Sequence, residues 1–180
     1  MRGEGREVKD SLDLIVPVLN EEESIGPFLA AINHVVAGLD VSVRIIFVDD
    51  GSTDQTVEHV LESQSAKIDI DCIQLSRNFG KEGAMRAGLD HSSADAVIFI
   101  DVDLQDPPEL IPAMISQWRL GADQVLALRT SREEESFIKR RTADFFYWVF
   151  NRLSPVKIPS NVGDFRLLDR KVVDAILTLP

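Results

Sequence analysis

Five short runs of this chain are apolar along most of their length rather than on alternate residues. They are LDLIVPVL (12–19), VRIIFVDD (43–50), DCIQLS (71–76), AVIFIDVD (96–103) and QVLALR (124–129). A strand that is apolar on both faces is stable only where both faces are covered. Segments with helical patterning separate the runs, at 21–38, 53–64 and 81–92, with a proline-started one at 107–120. Strand and helix in alternation predict an α/β domain, with a mostly parallel central sheet and helices on both faces. At 180 residues the chain can build one such core and is too short for two. Residues 1–11 are polar and read as a disordered lead, leaving 12–180 for the domain.

Ligands of open parallel sheets gather at the carboxyl ends of the strands. The polar clusters of this chain fall there: NEEE after the first strand, DDGSTD after the second, SRNFGKEG after the third and DVDLQD after the fourth. In the last of these, Asp101 and Asp103 are spaced to enter one cleft, where carboxylates so close need a proton, a base or a metal between them. Hard cations such as Mg²⁺ or Mn²⁺ bridge carboxylates to phosphate oxygens, so these two aspartates are candidate metal or substrate ligands. Asp106 and Glu109, beside Pro107 and Pro108, read instead as a helix start, with Asp106 as its cap. In VDDGSTD, Asp54 reads as a helix cap, while Asp49 and Asp50 could accept from a base imide or ribose hydroxyls. Arg77 and Lys81, beside two glycines, suit a base carbonyl or a diphosphate.

Other classes lose ground. The net charge of −11 argues against nucleic-acid binding. No phosphate-binding loop of the Gly-x-x-x-x-Gly-Lys kind and no Gly-x-Gly-x-x-Gly occurs. The three histidines lack zinc spacing, and the single cysteine, Cys72, permits no internal disulfide. Charge is uneven, however: residues 129–180 hold 10 basic and 7 acidic side chains, against 9 and 23 before them. Arg129, Arg132, Lys139, Arg140 and Arg141 precede an aromatic helix expected at 142–154. The pairing suits anionic lipid head groups, or equally a solvated basic face beside core aromatics.

LIVPVLNEEESI, IIFVDDGSTDQT, SRNFGKEGAMRAGL, DVDLQDPPELIP and NVGDFRLLDRKVV together resemble, in order and spacing, the family 2 glycosyltransferases. Within that family they look most like the polyprenyl-phosphate branch of bactoprenol glucosyltransferases and dolichyl-phosphate mannose synthases, over residues 12–180. The resemblance implies a GT-A nucleotide-diphospho-sugar transferase fold. It implies Pro17, Leu19 and Glu21 in the nucleotide pocket, Asp50 at the uracil, and Arg77 and Lys81 near base or diphosphate. Asp101 and Asp103 would be the Asp-x-Asp motif, Asp103 the metal ligand, with Gln105 close by. Asp164 would be an acid near the acceptor, as base or as orienting group, and Arg166 would share its face. Arg129, Arg132, Arg140 and Arg166 are the candidate acceptor contacts.

The reaction so implied is inverting, metal-dependent transfer of glucose from UDP-glucose to a polyprenyl phosphate such as undecaprenyl phosphate. The alternatives are mannose or a modified sugar from another nucleotide sugar, or a binding module without turnover. Leu19 departs from the family pattern, standing where many relatives carry an aromatic. The family's membrane-spanning part is absent from this chain, which is expected to be the catalytic domain of a longer protein. That domain would lie at the cytoplasmic face of the plasma membrane, on the membrane surface; homo-oligomer formation is left open.

Overall fold

The computed structural model describes residues 9–63, 68–128 and 162–179. The chain divides into two compact units, one of residues 1–125 with 164–180 and one of 126–163. The second falls almost wholly outside the described residues, and with it Arg129, Arg132, Lys139, Arg140, Arg141 and the aromatic helix expected at 142–154.

Six strands form one sheet in the order β3-β2-β1-β4-β6-β5. β1 (Ser11–Val18), β2 (Ser42–Asp49), β3 (Asp69–Gln74) and β4 (Ala96–Phe99) run parallel to one another. β6 (Val162–Asp169) is antiparallel to β4, and β5 (Gln124–Leu128) stands beyond β6 at the edge. The helices are α1 (Glu22–Val36), α2 (Thr56–Glu62), α3 (Lys81–His91), α4 (Ile111–Arg119) and α5 (Arg170–Leu177). The expected alternation is therefore present, with one chain reversal at β6.

Both faces of the sheet are covered, as the unbroken apolar strands require. On one face Ile15, Ile46, Val48, Val97, Phe99 and Leu168 are buried against Ala84, Met85 and Leu89 of α3 and Val173 of α5. On the other, Phe28 of α1 meets Phe47 of β2 edge to face, with centroids 5.9 Å apart. α3 lies so close to β1 that a Cβ on Gly88 would overlap Ile15 Cγ2, so only glycine allows this approach.

Two expectations change. The apolar run 96–103 is a ladder only to Phe99, and Val102 and Asp103 form a turn. Leu104, just after Asp103, takes a left-handed conformation (φ 59°), uncommon for a residue with a side chain. The proline-started helix opens with a 3-10 turn at Pro108–Leu110 whose cap position is Pro107, one residue later than expected. Asp106 is buried rather than a surface cap.

At the edge of the sheet remote from those turns, buried Asp13 accepts from Arg44 Nε (2.9 Å) and Nη2 (2.7 Å) and from Ser92 Oγ (2.6 Å). A carboxylate inside an apolar strand is tolerable only with such partners. Nearby, Asp95 accepts from the Ser11 hydroxyl (2.6 Å) and the Ser11 N–H (2.8 Å), tying the start of β1 to the start of β4. Those bonds, with a smaller contribution from Arg170, hold the Asp95 carboxyl below the usual aspartate range. A depressed carboxyl stabilises the fold above its unfolded value and loses that contribution as pH falls through the folded one. The gap in urea midpoint between wild type and Ser11→Ala is therefore expected to be full above about pH 5 and to close towards about pH 2.

Candidate active site

The loops after β1 and β2 are stitched to each other by their polar residues. Asn20, itself left-handed (φ 55°), donates its N–H to Ser52 Oγ (2.9 Å) and accepts from the Thr53 N–H (2.8 Å). The Glu21 N–H reaches Thr56 Oγ1 (2.7 Å), the Glu22 N–H reaches Asp54 Oδ2 (3.2 Å), and Glu22 Oε2 accepts from the Gln55 N–H (2.8 Å). Asp54 also takes the Thr56 N–H (3.0 Å), so it serves the starts of two helices, a wider role than the single cap expected. Desolvation pushes its carboxyl up, but the bonds from Thr56 and Glu22 outweigh that and leave it below the usual range. Much of NEEE and DDGSTD thus fixes loop shape.

Asp49 and Asp50 are both buried, for different reasons. Asp49 Oδ1 closes its own turn by accepting from the Ser52 N–H (3.0 Å). Asp50 reaches across to the loop after β3, where Oδ1 accepts from the Phe79 N–H (2.7 Å) and Oδ2 from the Gly80 N–H (2.9 Å). A carboxylate has about four acceptor positions, so Asp50 keeps capacity towards a ligand. The crossing is possible because Gly51 is left-handed (φ 90°) and has no side chain: a Cβ there would stand 3.2 Å from Arg77 C and Asn78 N.

These loops wall a cavity of about 290 Å³. Pro17, Val18, Leu19 and Glu21 line it from the first strand and its loop, and Asp50 from the second. Asn78, Gly80, Lys81 and Ala84 come from the third loop and α3, and Asp101, Val102 and Asp103 from the turn after β4. Seven residues singled out in the sequence, Pro17, Leu19, Glu21, Asp50, Lys81, Asp101 and Asp103, therefore meet in one place.

Asp164 joins them through Lys81. The β4/β6 register pairs Phe99 with Arg166, and continued two residues it sets Asp101 opposite Asp164. Lys81 Nζ lies between them, 2.7 and 2.8 Å from the two oxygens of Asp101 and 2.8 Å from Asp164 Oδ2. Desolvation alone would lower the Lys81 pKa, but the hydrogen bonds and charges of Asp101 and Asp164 outweigh it, and the ammonium lies above the usual lysine range. Arg166 Nη2 stands 3.7 Å from Asp164 Oδ1, and its guanidinium lies 5.9 Å from the Phe99 ring centroid. Its Nε is buried with no hydrogen-bond partner among the described residues.

Asp103 is exposed at the cavity, its Oδ1 accepting from the Gln105 N–H (3.0 Å). Gln105 is next to the cavity without lining it. Arg77 does not line it either; its guanidinium stacks on the exposed Phe79 ring at 4.4 Å. Asn78, Gly80, Val18, Ala84 and Val102 were not singled out from sequence. Only Gly80 carried a usable signal, a glycine just before a helix, and it is left-handed here (φ 87°). Among the described residues no three His, Cys, Asp or Glu side chains gather to hold a metal. A cation held by Asp103 and Asp101 would need further oxygens from a ligand, which is how hard divalent ions bridge carboxylates to phosphates. The donor set fits such an ion.

The chain matches the family model described as glycosyl transferase family 2 over residues 13–177. It is 47% identical to the bactoprenol glucosyl transferase of Shigella phage SfV, over 94% of this chain and 55% of that protein. It is 45% identical to the prophage bactoprenol glucosyl transferase homolog of Escherichia coli K12, with the same coverage. The chain thus spans about half the length of the curated relatives it matches. Among solved structures it is similar to glucosyl-3-phosphoglycerate synthase of Mycobacterium tuberculosis in complex with Mn²⁺, UDP-glucose and phosphoglyceric acid. That likeness has a TM-score of 0.64 at 23% identity, over 91% of this chain and 58% of the other, and shows a shared GT-A fold.

The glycine that lets two loops touch gives a direct test. Gly51→Ala is expected to cost about 1–2 kcal/mol in urea denaturation, because a side chain there is both left-handed and crowded. Gly26→Ala, in α1 with open space around it, is expected to stabilise by about 0.5–1 kcal/mol.

Proposed function

Since the chain belongs to glycosyl transferase family 2, we propose that it transfers glucose from UDP-glucose to a polyprenyl phosphate, with inversion and with Mg²⁺ or Mn²⁺. The observation that carries this reading is the 45–47% identity to proteins named bactoprenol glucosyl transferase, over 94% of the chain. The Mn²⁺ and UDP-glucose complex of the structurally similar synthase supports the choice of donor and cation.

In this reading Pro17, Leu19, Glu21 and Asp50 receive the nucleoside, and Asp101 and Asp103 face the diphosphate. An acceptor phosphate oxygen forms a bond to the anomeric carbon as the bond from that carbon to the UDP oxygen breaks. Negative charge then develops on the leaving diphosphate, where preorganised positive charge lowers the barrier most. The divalent ion, held by Asp103 and Asp101, supplies Lewis acidity there. Lys81 adds a cation on the same side of the cavity. Arg166, with Arg129, Arg132 and Arg140, is assigned to the acceptor phosphate.

A phosphate monoester is mostly ionised near neutral pH, its second pKa being about 6. It therefore needs no base to become a nucleophile. Asp164, with one oxygen on Lys81 and the other facing Arg166, is assigned the task of orienting those two cations. Among the described residues no helix is long and apolar enough to cross a membrane. The lipid acceptor would be met at a membrane surface, at its cytoplasmic face.

A thermal-shift panel tests the donor. UDP-glucose with Mn²⁺ at about 100 times its Kd is expected to stabilise the chain by about 2.7 kcal/mol. Protection by GDP-mannose and none by UDP-glucose would overturn the assignment. Turnover with a polyprenyl phosphate tests the acid: Asp103→Asn is expected to lose about 10²–10³ in kcat. Asp164→Asn is expected to stay within about tenfold of wild type, below the usual contribution of a general base. A collapse equal to that of Asp103→Asn would make Asp164 the base after all.

A further inference from the structure

We infer that Lys81 is the resident counter-ion of this site, holding Asp101 away from divalent cations until a nucleoside diphosphate arrives with one. The inference rests on the metal-dependent reading above and adds an order to it.

Three observations carry it. Asp101 lies two residues past the end of β4 and Asp164 in the antiparallel β6, and one ammonium contacts three of their four oxygens at 2.7–2.8 Å. A divalent ion seeking Asp101 must therefore compete with a charge that is covalently part of the fold. Second, Asp103 has no such cation among the described residues; its Oδ1 accepts from the Gln105 N–H. Third, no cluster of three metal-binding side chains exists among the described residues. At the turn after β4 the described residues thus offer a hard cation one carboxylate without a cationic partner, too few oxygens for an ion that takes six or more.

A diphosphate changes both sides of that competition. It brings oxygens that complete the ion's shell, and negative charge on which the Lys81 ammonium can settle when it leaves Asp101. Asp164 keeps its hold on the same ammonium, so Lys81 turns rather than departs. Lys81 is in this sense a positioning residue: it keeps the empty site neutral and makes ion and diphosphate bind as a pair.

The test is a titration of Mn²⁺ into the chain, reading free ion by electron paramagnetic resonance, with and without UDP. Wild type is expected to bind Mn²⁺ weakly alone and at least about tenfold more tightly with UDP. Lys81→Met is expected to bind Mn²⁺ alone about tenfold or more tighter than wild type, the usual effect of removing one adjacent charge. Lys81→Gln should follow Lys81→Met, and Lys81→Arg, which keeps the charge, should follow wild type. Damage to the fold would weaken ion binding, so a gain cannot come from it. If UDP still promotes Mn²⁺ binding in wild type but both neutral variants bind Mn²⁺ alone no better, the inference is wrong. If wild type takes no Mn²⁺ even with UDP, the metal reading itself falls, and this inference with it.

Discussion

Two carboxylates facing each other across the ends of β4 and β6 would force those strand ends apart if nothing stood between them. The Lys81 ammonium does stand there, and it joins three parts of the fold that are distant in the chain: the first turn of α3, the turn after β4, and β6. A cation shared between two carboxylates offsets their repulsion at hydrogen-bonding distance. The reversed direction of β6 follows the same logic. Antiparallel to β4, β6 carries Asp164 to the turn that holds Asp101, where Lys81 contacts both.

The remaining walls depend on a second device, side chains that satisfy the backbone of a neighbouring loop. Asn20, Glu22, Ser52, Asp54 and Thr56 bind one another's main chains after β1 and β2. Asp50 does the same for the loop after β3. Loops at the ends of parallel strands have no ladder partners, so their N–H groups must find acceptors elsewhere. Here the acceptors are side chains of the neighbouring loops, and one of them, Asp50, also lines the cavity. At that residue loop shape and site charge are set together.

The two devices divide the acidic residues by task. Asp49 and Asp54 serve the backbone, Asp50 serves it while facing the cavity, and Asp101 is matched to a lysine. Asp103, just before the left-handed Leu104, is the exposed one. Holding a leucine in that conformation is unfavourable, and strain of that kind concentrates where a side chain must be aimed. The most exposed acid of the turn is thus also the one the backbone takes most trouble to place.

Much of this was legible in the chain itself. Unbroken apolar runs separated by helical segments determined a covered parallel sheet, because hydrophobic strands cannot leave a face in water. The position of polar clusters after each run determined which edge would carry the site, and their order matched one family. What the sequence could not determine was partnership between residues far apart. The reversal at β6, the facing of Asp101 and Asp164, and the lysine between them depend on strand register, which no local pattern encodes. Nor could it separate acids that bind backbone from acids that face the cavity, since DDGSTD reads the same either way. That distinction is made only when the loops fold against each other and use up some acceptors while leaving others open.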